Sequence, residues 1–388
     1  MLKAVEWFAK RIAIWGIILI ITLICSEAII QGTIHFRRWI AADGAEIIPF
    51  RYQQGSHRGY EDLAAKLEDD YENHYQVRYQ STLPHPVLTD AVTMSLGDHG
   101  FRASCCWAGG NAAKTFFVFG GSTVFGVGAD DDTTIVSDLN RLGAERRWRF
   151  VNYGMNGLTS SQEIDVLTHA LAAGQVPDAV VFYHGFNDAN AAALNRVGID
   201  EFAGDLTKMG RDPFYYVERR YFVGSGLWRI WKVLQRSFFP PEAQPIDDAR
   251  LWQAALAQMK GNRQVAVALG KAYGFEVYHF IQPSLAEVAP AQEAALSDFE
   301  RHIRESQITP SLQSINEYLY QGLRDSGQWR DLSAVFFERK MNGIYFDGVH
   351  VGPRGNQAVA EAIYSALLQP ATIPQVAPGQ NLTSNSPQ

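Results

Sequence analysis

The sequence predicts an α/β protein, a three-layer α/β/α sandwich around a central parallel sheet. Two observations carry this. Short apolar runs rich in aromatic and β-branched residues alternate with stretches of helical periodicity. The runs are also apolar on both sides, as strands are when helices cover both faces of a parallel sheet. In such sheets the loops at the carboxyl ends of the strands hold the chemistry.

KTFFVFG, residues 114–120, is the first strand. DDDTTIVSDLNRLG follows as a helix, with Ile135, Leu139 and Leu142 at helical spacing, carboxylates at its start and Gly143 as a stop. WRFVNYG repeats the strand pattern. Ser160-Ser161-Gln162-Glu163 reads as a capping box opening a helix with Ile164, Leu167 and Leu171 on one face. DAVVFYHG is the third strand and FEVYHFIQP the fourth, the latter preceded by a helical stretch from Leu251 to near Gly274. GNQAVAEAIYSALL closes the domain with Val359, Ile363 and Leu367 aligned.

An interruption at 189–248 breaks the alternation. Within it Leu227, Trp231, Leu234 and Phe238 form an apolar face opposite Arg229, Lys232 and Arg236. That pattern fits a core-facing helix with a solvated side, or a lid touching lipid or an acyl chain.

With 47% hydrophobic and 19% charged residues the chain has material for a large core, and a net charge of −7 gives no nucleic-acid footprint. No DNA or RNA partner is expected. At the N-terminus Lys3, Lys10 and Arg11 precede the uncharged stretch 12–26. A signal peptide would be cleaved near Ser26-Glu27-Ala28. A signal anchor, an N-terminal transmembrane helix, would use residues 12–30, close to the ~20 residues a span needs. Apolar residues continuing past the cleavage point favour the anchor, and either version exports the rest of the chain. The expected organisation is therefore 1–34 signal anchor or signal peptide, 35–110 a stalk packing onto the main domain towards its end, 111–370 the main domain with its insertion, and 371–388 a disordered tail. Cys105 and Cys106 are adjacent; their Cα atoms, about 3.8 Å apart, fall below the usual disulfide range, so they are expected to stay unbridged.

The first strand ends in FFVFGGSTVFGVG. A phosphate loop would need lysine where Val127 stands, and a dinucleotide fingerprint would need a third glycine where Ala129, Asp130 and Asp131 follow Gly128. What remains is Ser122 on a tight strand-to-helix turn, able to present a nucleophilic hydroxyl. Such a serine needs a base, a group orienting the base and donors for an oxyanion. YFDGVHVGPRGN carries Asp347 and His350 three apart across Gly348, so a turn can bring the carboxylate to the imidazole Nδ1. The third strand exits into His184-Gly185-Phe186-Asn187-Asp188, which sets a side-chain amide at the sheet's carboxyl edge.

The ordered set resembles the SGNH, or GDSL, hydrolases. FGGST resembles their first block, VNYGMNGLTS the second, HGFND the third and FDGVH the last. The resemblance implies a flavodoxin-like sandwich with Ser122, Asp347 and His350 as catalytic triad, and an oxyanion hole from the Ser122 and Gly157 N–H groups and the Asn187 amide. Gly154, the other glycine of the second block, is expected to serve the turn. Two departures stand out: Gly121 occupies the place of the family's acidic residue before serine, and Phe186 replaces a glycine, which should narrow the pocket. His184, Phe186 and Asp188 are possible pocket residues.

These features predict a serine esterase, tethered to a membrane or secreted, acting on a small-molecule, lipid or glycan ester without cofactor or metal. Two alternatives keep the fold: an O-acyltransferase modifying an exported polysaccharide, and a non-catalytic glycan-binding or assembly protein.

Overall fold

The structure, a computed structural model, describes residues 83–97, 99–107, 109–194 and 248–369, the strand at 75–80, and positions 15, 18, 22, 25–29, 66, 67, 69 and 70. The chain divides into two compact units, residues 49–201 with 246–388, and residues 1–48 with 202–245. Described positions of the latter, Trp15, Ile18, Thr22 and 25–29, are helical. Among the described residues no helix is long and apolar enough to cross a membrane. Most of the predicted segment 12–30, the amphipathic stretch 227–238 and the tail 371–388 lie outside the described residues.

An antiparallel hairpin, β1 (Tyr75–Gln80) with β2 (Leu83–Leu88), comes first. The main sheet follows with β3 (Lys114–Gly120), β4 (Trp148–Asn152), β5 (Ala179–His184), β6 (Glu276–Ile281) and β7 (Arg330–Asp331). Its spatial order is β4-β3-β5-β6-β7 and every pairing is parallel. The helices that matter for the site are α1 (Ser122–Phe125), α2 (Ile135–Gly143), α3 (Ser160–Ala172), α4 (Phe186–Ala193), α5 (Asp248–Tyr273), α6 (Pro290–Glu293), α7 (Asp298–Gln307), α8 (Pro310–Asp325), α9 (Val335–Glu338) and α10 (Pro353–Leu367).

Strand side chains alternate between two cores because successive residues point to opposite faces. Phe116 and Val118 of β3, Val181 and Tyr183 of β5 and Phe280 of β6 join residues of α2, α4, α8 and α10. Phe117, Phe119, Val180 and Phe182 join Val166, Leu167, Ala170 and Leu171 of α3 on the other face. Burying each such side chain stabilises the fold by roughly 1.5–3 kcal/mol, and doing so on both faces makes three layers. The edge strand β4 is closed off by side chains: Asn140 accepts from the Phe150 N–H and donates to its carbonyl, and His99 Nε2 lies 2.7 Å from the Asn152 carbonyl.

Three expectations are corrected. The capping box at α3 starts one residue earlier than predicted, with Thr159 as N-cap and Gln162 accepting its N–H at 3.1 Å, so Glu163 turns into the core. The interruption begins later than 189, because α4 continues to Ala193 with Ala189 and Ala192 fully buried. Cys105 and Cys106 form a disulfide with their Cα atoms 3.7 Å apart, and Cys106 adopts a left-handed φ of 74°. Ahead of β3, Arg102 is wholly buried and donates to Asp131 and to the Ala129 carbonyl, and Cys105 N–H donates to Ser137 Oγ.

Candidate active site

Strand order reverses between β3 and β5, since β4 follows β3 on one side while β5 to β7 extend on the other. The crevice at the carboxyl ends of those two strands is the topological switch point, where open α/β sheets bind ligands. Ser122 begins α1 directly after β3, and Asn187 lies in the first turn of α4 after β5. The two glycines before Ser122 permit the turn by close approach. A Cβ at Gly120 would strike Val124 and the Tyr183 carbonyl, and one at Gly121 would strike the Asn187 amide. Gly126, at φ 93°, ends α1 by donating its N–H to the Ser122 carbonyl.

Residues 343–351 bring His350 to Ser122. Glu300, 1% exposed, accepts the N–H groups of Gly343, Ile344 and Tyr345, and so anchors the approach to the loop. Asp347 Oδ1 accepts the Val349 and His350 N–H groups at 2.9 and 2.7 Å, folding the turn on itself. Its Oδ2 stands 2.6 Å from His350 Nδ1, and His350 Nε2 stands 2.6 Å from Ser122 Oγ. With the Nδ1 proton donated to the carboxylate, Nε2 is left to accept from the serine hydroxyl. Burial pushes the Asp347 carboxyl up, but the facing imidazole and the hydrogen bonds to His350 and Val349 outweigh it and bring the pKa down to about 2. The His350 ring stacks on Phe346 at 5.8 Å.

Across from His350, at the exit of β5, Asn187 Nδ2 donates to the Leu158 carbonyl at 2.8 Å and lies against Gly121. Gly157, at φ 74°, occupies the turn just before Leu158. Gly154 does serve the turn: its N–H is taken by Asn152 Oδ1 at 2.8 Å, and a Cβ there would strike the backbone at Val124 and Phe125.

Two of the three possible pocket residues, His184 and Asp188, are buried and hydrogen-bonded within the protein. His184, 4% exposed, lies inside the protein with Nδ1 2.7 Å from Glu163 Oε2 and Nε2 3.3 Å from Trp329 Nε1. An indole N–H can only donate, so Nε2 accepts and the Nδ1 proton goes to Glu163. Asp188, 7% exposed, accepts the Ser160 hydroxyl at 2.6 Å and ties the start of α3 to α4. Burial raises the Asp188 pKa, against the lowering effect of His184 and of the Ser160 hydrogen bonds. Phe186 is half-buried against the larger core.

Arg102, Glu300 and Asn356 escape sequence reasoning. Asn356 Nδ2 donates to the Thr133 carbonyl at 2.9 Å, linking the loop after Ser122 to the helix after His350. Glu300 offered one usable signal, the Ser297-x-x-Glu300 capping box. Among the described residues, Cys105, Cys106 and Asp132 bring potential metal-ligand atoms within 4.8 Å of one another, but the disulfide consumes both thiolates.

No family model matches the chain, and no curated protein matches it. Solved structures similar to it include the acetyl xylan esterase AlAXEase, 14% identical over 65% of this chain and 99% of that one, with a TM-score of 0.36. The lipase Lip_vut3 from a goat rumen metagenome is 14% identical over 66% and 97%, with a TM-score of 0.38. A member of the lipolytic protein G-D-S-L family from Veillonella parvula DSM 2008 is 13% identical over 66% and 100%, with a TM-score of 0.36. At these values the likenesses carry no argument about chemistry, which rests on the geometry of the site.

Proposed function

We propose that the chain is a serine hydrolase of carboxylic esters. The carrying observation is the unbroken relay from Asp347 Oδ2 through His350 to Ser122 Oγ, each step 2.6 Å. His350 Nε2 takes the hydroxyl proton as Ser122 Oγ bonds to the ester carbonyl carbon. The oxyanion so formed is held by the Ser122 and Gly157 N–H groups and the second Asn187 amide hydrogen. The tetrahedral adduct collapses with cleavage of the C–O bond, the alcohol leaving with the proton from His350. Water, deprotonated by the same imidazole, then releases the acid and restores Ser122. An imidazole oriented by its own carboxylate against a serine hydroxyl is superfluous in a purely binding module.

The apolar N-terminal stretch and its preceding basic residues support membrane tethering or export of the domain. Turnover of chromogenic short-chain esters is the direct test. Ser122→Ala should lower kcat by on the order of 10⁴-fold or more, and a folded Ser122→Ala that turns over at the wild-type rate refutes the assignment. Running the same assay with a sugar acceptor reveals whether the acyl group passes to an alcohol in preference to water.

A further inference from the structure

The segment ahead of the main domain sends one charged side chain beneath the nucleophile. Arg102 is 0% exposed. Its Nε donates to Asp131 Oδ1 at 2.9 Å, its Nη1 to the carbonyls of Gly126 at 3.1 Å and Phe125 at 3.3 Å, and its Nη2 to that of Ala129 at 2.7 Å. The guanidinium also lies 5.1 Å from the centre of the Phe125 ring. Phe125 and Gly126 end the single helical turn that Ser122 begins, and the N–H groups of Gly126 and Val127 bond back to the Ser122 carbonyl. One rigid fork therefore gathers the carbonyls that close the nucleophile's turn.

A helical turn of four residues has almost no stability of its own, because nucleation fixes many dihedrals for few hydrogen bonds. Something outside it has to hold it. The loop that leaves it is gripped at both ends, by Arg102 at residues 125–131 and by Asn356 at the Thr133 carbonyl. We propose that Arg102 is a positioning residue for Ser122, setting the distance between the serine hydroxyl and His350 through the backbone of residues 125–129. This rests on Ser122 being the nucleophile. It also makes residues 92–105 part of the catalytic domain and not a spacer.

Arg102→Lys tests this, because an ammonium is a point charge that cannot fork to several carbonyls at once. Two readouts separate the inference from the reading beneath it. Deuterium uptake of peptides covering 121–128 reports the turn whether or not the protein is an enzyme, and the rate at which a fluorophosphonate modifies Ser122 reports its alignment. In Arg102→Lys uptake should quicken in that stretch. Modification should slow by on the order of 10- to 100-fold, the range a displacement near 1 Å produces, while KM for a short-chain ester stays as in wild type. Leu171→Ala, in the opposite core layer, is the control: at an equal loss of Tm it should react at the wild-type rate. Where Arg102→Lys fails to fold, Asp131→Ala replaces it, since it removes the acceptor of Nε and leaves the carbonyls in place. Unchanged uptake over 121–128, or a slowing that Leu171→Ala matches, overturns the proposal. Quicker uptake together with a wild-type chain that never reacts would support the hold on the turn and overturn Ser122 as nucleophile.

Discussion

The side-chain amide of Asn187 occupies the space into which a Cβ at Gly121 would project. The residue before the serine and the proposed oxyanion donor are thus a matched pair, and glycine at 121 is what lets the amide lie there. Gly121→Ala should push the amide aside and cost about 10²–10³ in kcat, the loss expected from one oxyanion donor, with little change in KM. Steady-state kinetics of Gly121→Ala, Asn187→Ala and the double variant check this. The losses should be strongly non-additive, and simple additivity would separate the two residues.

Asp347 supplies both orientation and a pH-dependent share of stability. Its pKa in the folded protein, about 2, lies below the ordinary 3.8. The carboxylate therefore stabilises the fold fully above about pH 4, and that contribution disappears as pH falls towards 2. At 1.36 kcal/mol per pKa unit the share is roughly 2 kcal/mol. Urea unfolding between pH 2 and 6 should show Asp347→Asn with a shallower acid decline than wild type. The same variant should lose on the order of 10⁴ in kcat, because an amide favours the wrong imidazole tautomer.

The strands and the four site motifs were legible because each is local. KTFFVFG and DAVVFYHG carry their burial in their composition, and Asp347 and His350 share one turn. What escaped depends on partners remote in the chain. β7 is two residues, Arg330 and Asp331, with no apolar signature, paired because β6 offers Phe280 and Ile281 beside it. α7, DFERHIRESQ, is half charged and buries Phe299, Glu300 and Ile303. Arg102 reads as a surface residue until the backbone carbonyls around it are seen, and carbonyls leave no mark in a sequence. The Cys105–Cys106 bridge comes with a left-handed φ at Cys106, which composition does not reveal.

Glu300 links the helix α7 to the loop that carries His350. It accepts Ser297 N–H at 2.9 Å within its capping box, together with three N–H groups of residues 343–345. Glu300→Gln keeps the shape but replaces one acceptor oxygen with a donor that faces N–H groups. An expected loss of about 1–3 kcal/mol follows from leaving buried donors unpaired. Equilibrium urea unfolding measures it; a loss within error of zero would mean that the 343–345 segment holds itself.

The buried pair His184 and His279 predicts a second pH window, distinct from that of Asp347. His279 is 5% exposed, stacks on Phe182 at 4.7 Å and has its Nδ1 3.3 Å from His184 Nε2. Burial first, then repulsion from the Arg263 guanidinium and from His184 whenever that ring is protonated, hold its pKa well below the ordinary 6.5. Once unfolded the imidazole takes up a proton near pH 6.5, whereas in the folded protein it stays neutral. The unfolded state then binds more protons, so stability falls as pH drops below about 6.5. His279→Phe preserves the stack on Phe182 and removes that titration. Its stability between pH 7 and 5 should be flatter than that of wild type, and a parallel decline in the two proteins would assign the slope to other groups.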